Sequence, residues 1–272
     1  MTKRIAVSFD DVPHDPGAFL TPDQRTDLLI GNLARAGIEQ AAFFVVVGDL
    51  DQPRGVGGAQ RIAAYTEAGH VLGSHGYAHP ALSDTPVADY LADLDRAARW
   101  FVDRPGARPW FRFPFLDEGD AEPAKRAAVR DALRVRGLRN GYVTVLTLDW
   151  LLDSLAAPGR DLREFYVRTL VAQAEFYEAL AVAALHRSPA HVILLHENDL
   201  NALFIADLAD ALRAGGWEIV STDEAYQDPI ASMEPVEWNG SGRVAGLALD
   251  RGHRIDCDLL DQTAVRAAIG RE

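Results

Sequence analysis

Asp10 and Asp11 stand side by side at the end of the apolar run RIAVSF. Side chains alternate across a strand, so both carboxylates cannot enter an apolar core without a large desolvation cost. Either they lie in a polar turn or something positive meets them. His75 and His79 are spaced i, i+4 in SHGYAHP, a spacing from which two imidazoles can reach one ion. Neutral imidazole suits zinc and similar divalent metals. A carboxylate is the usual third ligand, leaving a position open for water, and Asp10 or Asp11 can supply it. Arg112 in WFRF, Asp149 at the end of YVTVLTLDW and His196 at the end of HVILLH add a fixed cation, another acid and another imidazole. These are the residue types that bind metals and move protons.

Such residues need a scaffold that delivers them to one place, and the sequence describes one. Short β-rich runs at 4–9, 41–47, 70–75, 110–113, 142–147, 191–196 and 217–220 alternate with amphipathic helical stretches near 59–68, 86–102, 122–136, 161–187 and 200–213. The first helix has Thr21 as N-cap, Pro22 at the first helical position and Gln24 to complete a capping box. Leu28, Leu29, Leu33 and Ala36 form its apolar stripe and Gly37 ends it. AAFFVVV is apolar on both faces, as a parallel strand covered by helices requires. The βα alternation predicts an α/β fold with a mostly parallel sheet, open or closed into a barrel. In such folds active sites gather where strands end, and Asp10-Asp11, His75, Arg112, Asp149 and His196 all fall at strand ends. After Pro229 the rhythm stops, and EWNGSGRVAGLALDRGHRIDCDLLD reads as a short hairpin or irregular appendage. The expected division is a catalytic domain over 1–228 and an appendage over 229–272 packed on it.

Composition narrows the function. With 272 residues, 48% of them hydrophobic, the chain can bury one large core. A formal net charge of -13 argues against nucleic acid or an anionic membrane as partner. Cys257 is the single cysteine, so no intramolecular disulfide or thiolate metal cluster can form, and it reads as a packing residue. MTKRIAVSF lacks the apolar region and cleavage site of a secretory leader. The expectation is therefore a cytoplasmic protein, or an exported one if a leader has been removed. No stretch reaches the length of a membrane span. His70 begins a strand, His14 and His186 read as exposed, and His253 lies in the appendage. The basic helix KRAAVRDALRVRGLRN reads as a solvated face, and GVGG at 55–58 as a connector rather than a phosphate loop.

Five segments in this order resemble the NodB-homology polysaccharide deacetylases, carbohydrate esterase family four. SFDDVP stands where that family has a T-F-D-D-G-like run, HGYAH where it has H-S/T-x-x-H, and RFPF at 112–115 where it has R-x-P-Y/F. Asp149-Trp150 matches its D-W and LLH at 194–196 its L-x-H, so the likeness spans roughly residues 4 to 227. The resemblance implies a distorted (β/α) barrel and a metal-dependent hydrolase removing acetyl groups from N-acetylated, or sometimes O-acetylated, sugars. By position it implies Asp11, His75 and His79 as ligands of one divalent metal ion, zinc first, with cobalt, nickel or manganese as alternatives. It implies Asp10 as general base, Arg112 as the group that orients it, and the Phe115 backbone N–H in the oxyanion hole. His196 would be the general acid, tuned by Asp149, with Trp150 and Leu194 lining the pocket for the acetyl methyl.

Three positions depart from the pattern. Val12 replaces a glycine, Gly76 replaces a hydroxyl residue, and Phe115 replaces the commoner tyrosine. A second expectation is hydrolysis of a small cytosolic amide, such as a cyclic imide, ureide or formamide. A third is a non-catalytic carbohydrate-binding relative, which would be expected to lack the base or the acid.

Overall fold

The structure, a computed structural model, describes residues 2–119, 122–159, 161–238, 240–255 and 258–269. Cys257 lies outside the described residues. The chain begins with β1 (Lys3–Val12), α1 (Pro22–Arg35), β2 (Ala42–Val45), α2 (Gly58–Glu67), β3 (Val71–Ser74) and α3 (Val87–Phe101). It continues with β4 (Ala107–Phe111), α4 (Pro123–Val135), β5 (Arg139–Asn140), α5 (Asp149–Ser154) and α6 (Arg163–Leu185). Then come β6 (Ala190–His196), α7 (Asp199–Ala214), β7 (Trp217–Ile219), α8 (Thr222–Ala225), α9 (Arg243–Leu249) and α10 (Gln262–Ile269). The capping box of α1 forms as its sequence dictates: Gln24 N–H donates to Thr21 Oγ1 and Thr21 N–H to Gln24 Oε1.

The strands form one all-parallel, seven-stranded sheet in the order β5-β4-β3-β2-β1-β6, with β7 paired to the start of β1. The alternation predicts such a mostly parallel sheet, and its curled half-barrel form agrees with the distorted (β/α) barrel that the resemblance implies. β1 is its centre. One edge pairs with β6 from Arg4 to Asp10, while β7 takes Lys3–Ile5 and β2 takes the segment from Ser8 to Val12. Because helices cover both faces, Ile5, Ala6, Val7 and Phe9 are all buried, as are all four residues of β2. Each such Ile, Val or Phe side chain contributes about 1.5–3 kcal/mol of burial free energy, which fixes the register of the central strands.

Three local expectations are corrected. Residues 142–147 do not form a ladder strand: β5 is only Arg139–Asn140, and Val145 makes an isolated bridge to Ile193. Thr144 explains this, because its hydroxyl accepts the Val192 N–H at 2.7 Å, diverting that donor from the ladder. The segment after Pro229 is helical rather than a hairpin, and α9 buries Val244, Ala245, Leu247 and Ala248 in the main core. The basic helix α4 is not merely a solvated face. Arg126 and Arg130 are buried, and they donate to the backbone carbonyls of Val236 and Pro235 respectively. Arg130 also pairs with Glu118 at 2.7 Å. Among the described residues, no helix is long and apolar enough to cross a membrane.

Candidate active site

A β-bulge resolves how neighbouring carboxylates share a site. The β1–β2 register shifts between Phe9 and Val12, and Asp11 takes the left-handed conformation with φ 61°. Breaking the pleat lets Asp10 and Asp11 face one cavity rather than opposite faces of the sheet. Val12, which stands where the family pattern has glycine, continues β1. It is buried, and its carbonyl accepts the Val46 N–H at 2.9 Å.

The two acids have different partners. Asp10 is buried and meets Arg112, whose Nη1 donates to Oδ1 at 2.6 Å. That guanidinium is fully engaged: it also donates to Ser8 Oγ at 2.9 Å, to the Gly141 carbonyl at 2.7 Å and to Tyr226 OH at 2.8 Å. Its plane lies over the Phe44 ring, 3.7 Å from the centroid. Asp11, partly exposed, turns to the histidines. Its Oδ1 lies 3.2 Å from His79 Nε2 and 3.5 Å from His75 Nε2, and the two Nε2 atoms are 3.1 Å apart.

These three residues fit a divalent metal. Ligand bonds of about 2.0–2.1 Å in a tetrahedron give donor-to-donor edges of about 3.3 Å, and the three separations straddle that value. His75 Nδ1 lies 2.9 Å from the Arg112 carbonyl, which accepts the Nδ1–H hydrogen bond and leaves the Nε2 lone pair facing the site. Burial drives the His75 pKa down to about 4 against the charge of Asp10, so the ring is neutral. Burial pushes Asp11 up, but its hydrogen bond with His79 and the charge on His196 hold it well below the carboxylate range.

The turn carrying both histidines is tied down from one side. Asp93 accepts the N–H groups of Tyr77 and Ala78, each at 2.8 Å. Gly76 sits at φ 84°, and a Cβ there would come within 2.9 Å of the Asp93 carboxylate. A larger residue would therefore be strained and would displace the acid that holds the turn.

His196 faces the triad from the opposite wall and is the register partner of Asp10 in the β1–β6 pair. Its Nδ1 lies 2.9 Å from Asp149 Oδ1, and its own N–H donates to Asp149 Oδ2 at 2.7 Å. Asp149 begins α5 rather than ending a strand, and it is fully buried. Asn201 and Asn198 donate to its Oδ2 at 2.6 and 3.1 Å. Burial alone would lower the His196 pKa, but the Asp149 charge and hydrogen bond raise it to about 10. The ring is thus cationic at neutral pH. Removing that charge with Asp149→Asn is expected to lower the His196 pKa. A reaction needing the imidazolium is present below that pKa and lost above it, so the alkaline limb of the kcat/KM profile should move to lower pH. An unmoved limb would show that Asp149 does not tune His196.

Phe115 also takes a left-handed conformation, φ 58°, and its exposed ring stands 4.5 Å edge-on from His79. Among the described residues its N–H has no hydrogen-bond partner in the chain, whereas Leu116 and Asp117 N–H groups return to Phe113 and Pro114. Trp150 and the buried Leu194, with Leu116, Leu146 and Leu148, give the cavity an apolar side. The whole cavity measures about 720 Å³. His14, read as exposed, is half-buried and lines it too.

Every site residue expected from the sequence reaches this one cavity or hydrogen-bonds to a residue that does. Several supporting groups went unseen: Ser8 and Tyr226 on Arg112, Asn198 and Asn201 on Asp149, and Asp93 under the histidine turn. The polar run HENDLN after a fully apolar strand was the available signal for the two asparagines.

A curled parallel sheet with an Asp–His–His cluster at its C-terminal rim defines a (β/α) half-barrel fold with a candidate metal centre. The family model for polysaccharide deacetylase matches residues 1–132. No curated protein matches the sequence. Among solved structures, the chitin deacetylase of the fungus Colletotrichum lindemuthianum is 20% identical with a TM-score of 0.58, over 84% of this chain and 89% of that one. The family 4 carbohydrate esterase of Streptomyces lividans, in complex with acetate, is 20% identical with a TM-score of 0.53, over 79% and 90%. A CE4-family pseudoenzyme from Bacillus anthracis is 15% identical with a TM-score of 0.53, over 82% and 65%. At these identities the likeness establishes the fold, and pseudoenzymes share it, so activity must be argued from the residues.

Proposed function

We propose that the protein is a metal-dependent deacetylase acting on an N-acetylated carbohydrate. The observation that carries this reading is the division of labour between adjacent acids, Asp10 on Arg112 and Asp11 on the two histidines, with a cationic His196 facing both. Asp11, His75 and His79 would hold one divalent ion, zinc by the nitrogen-rich donor set, which when bound polarises a carbonyl and acidifies water. Asp10, held 2.6 Å from Arg112 and 3.6 Å from His75, would take the proton from the attacking water. The free Phe115 N–H would donate to the developing oxyanion. His196 would give its Nε2 proton to the leaving amine, and Asp149 on Nδ1 would stabilise the ring's cationic form until that transfer. Trp150 and Leu194 would receive the acetyl methyl.

The test is acetate release by purified, zinc-loaded protein from N-acetylated oligosaccharides, O-acetylated sugars and small amides side by side. Release from the N-acetylated saccharides is expected. Turnover confined to cyclic imides, ureides or formamides would replace this reading with the small-amide one, and no turnover by metal-loaded protein would sink both.

A further inference from the structure

The cavity has a wall that does not come from the barrel. Gly240 and Gln262, both beyond Pro229, line it together with Asp10, His79 and His196. Trp238 sets this wall in place: its Nε1 donates to the Leu116 carbonyl at 2.8 Å, and its ring packs on the cluster of Leu116, Val143 and Leu194. Leu116 follows β4, which pairs with the edge strand β5, and Leu194 belongs to the opposite edge strand β6, against which the irregular 142–147 segment runs. Trp238 therefore spans the seam where the half-barrel does not close.

The wall is well anchored. Arg243, buried at the start of α9, donates to the Ala231 carbonyl at 2.7 Å, and its N–H to Val143 O at 2.7 Å. Asp250 accepts the N–H groups of Val236 and Glu237 at 3.0 and 2.7 Å. Gln173 on α6 donates to the Leu259 carbonyl at 2.8 Å. Arg126 and Arg130 grip the chain just before Trp238. A polymer bound through an internal unit needs a groove open on both sides of the scissile bond. Here Gly240 and Gln262 of a packed segment stand at one side, and a cavity of about 720 Å³ is in the range of small-molecule sites, about 300–1,000 Å³.

We infer that the C-terminal segment makes the site selective for short N-acylated saccharides, of one or two units, or for the terminal unit of a longer chain. This deepens the deacetylase reading and rests on it for its chemistry. The experiment uses zinc-loaded full-length protein and N-acetylglucosamine oligomers from monomer to hexamer. Initial rates give kcat/KM, mass spectrometry maps the deacetylated unit, and calorimetry on the same series gives affinity.

The expected result is kcat/KM that stops rising at the dimer, with only a terminal unit of the hexamer losing acetyl. Gln262→Ala and Trp238→Ala should raise the hexamer-to-dimer ratio of kcat/KM by about tenfold, the scale of one pocket contact. Rates climbing through the hexamer with internal deacetylation, or a ratio unmoved in both variants, would overturn the inference. If nothing releases acetate, the deacetylase reading falls, and the calorimetric series still decides the wall: affinity level beyond the dimer supports it, and affinity growing to the hexamer refutes it.

Discussion

Asp10→Asn is expected to lower kcat by about 10²–10⁴, the range for losing a positioned general base. The substitution is nearly isosteric, so the site keeps its shape while losing a proton acceptor. It has a second expected effect, on stability. Arg112 is 1% exposed, and Asp10 is its only carboxylate partner among the described residues. Stranding a buried cation costs about 3–5 kcal/mol when a partner is deleted outright. Asn retains a carbonyl acceptor for Nη1, and Ser8, Gly141 and Tyr226 still engage the guanidinium, so the loss should lie below that range. Turnover and the urea midpoint measured on one preparation check both. Full activity in Asp10→Asn would remove Asp10 from the chemistry, and unchanged stability would mean that the other three partners suffice for Arg112.

Stripping the metal is expected to abolish hydrolysis, with zinc or cobalt restoring it. It should also lower thermal stability, because an ion that binds only the folded chain stabilises it by about 4 kcal/mol at a thousandfold excess over Kd. His79→Ala should act in the same direction by removing one of the three donors, weakening zinc affinity and leaving the fold intact. The measurements are elemental analysis, zinc titration and thermal unfolding with and without chelator. Activity that survives chelation in protein free of metal would end the assignment of Asp11, His75 and His79 as ligands, whatever substrate is turned over.

The parts legible in the sequence were those written in local patterns. Apolar runs fixed the positions of β1, β2, β3 and β6, and Thr21, Pro22 and Gln24 announced α1. The pairing of a histidine turn with an acidic strand end makes a metal site arguable from residue types and spacing alone. Other features left no local trace. Tyr226 reaches Arg112 across more than a hundred residues, and nothing near it in the sequence marks it as polar support for an active site. Arg126 and Arg130 repeat like any basic helix face, and only the docking of 235–236 onto α4 reveals that they are buried. Residues 142–147 carry a strand's composition, but Thr144 spends its hydroxyl on Val192 and breaks the ladder. The hairpin reading failed because Gly and Asp punctuate the segment as they would a hairpin, while Val244, Ala245, Leu247 and Ala248 form a short helix buried on almost every side.

The central position of β1 has a consequence for how the chain is made. On the ribosome β1 emerges before all of its partners, and most of them arrive much later: on one edge Ser8 must wait for Leu194, and on the other Lys3 must wait for Trp217. Until then, a buried, apolar strand has only the β2 side to pair with. Most of the chain must be synthesised before the long-range pairings that close the sheet can repay their loop entropy, which makes folding slow and exposes a sticky edge meanwhile. The candidate site is assembled late, since Asp10 meets His196 only in the β1–β6 register. Nascent chains ending before β6 should therefore be protease-sensitive and depend on chaperones.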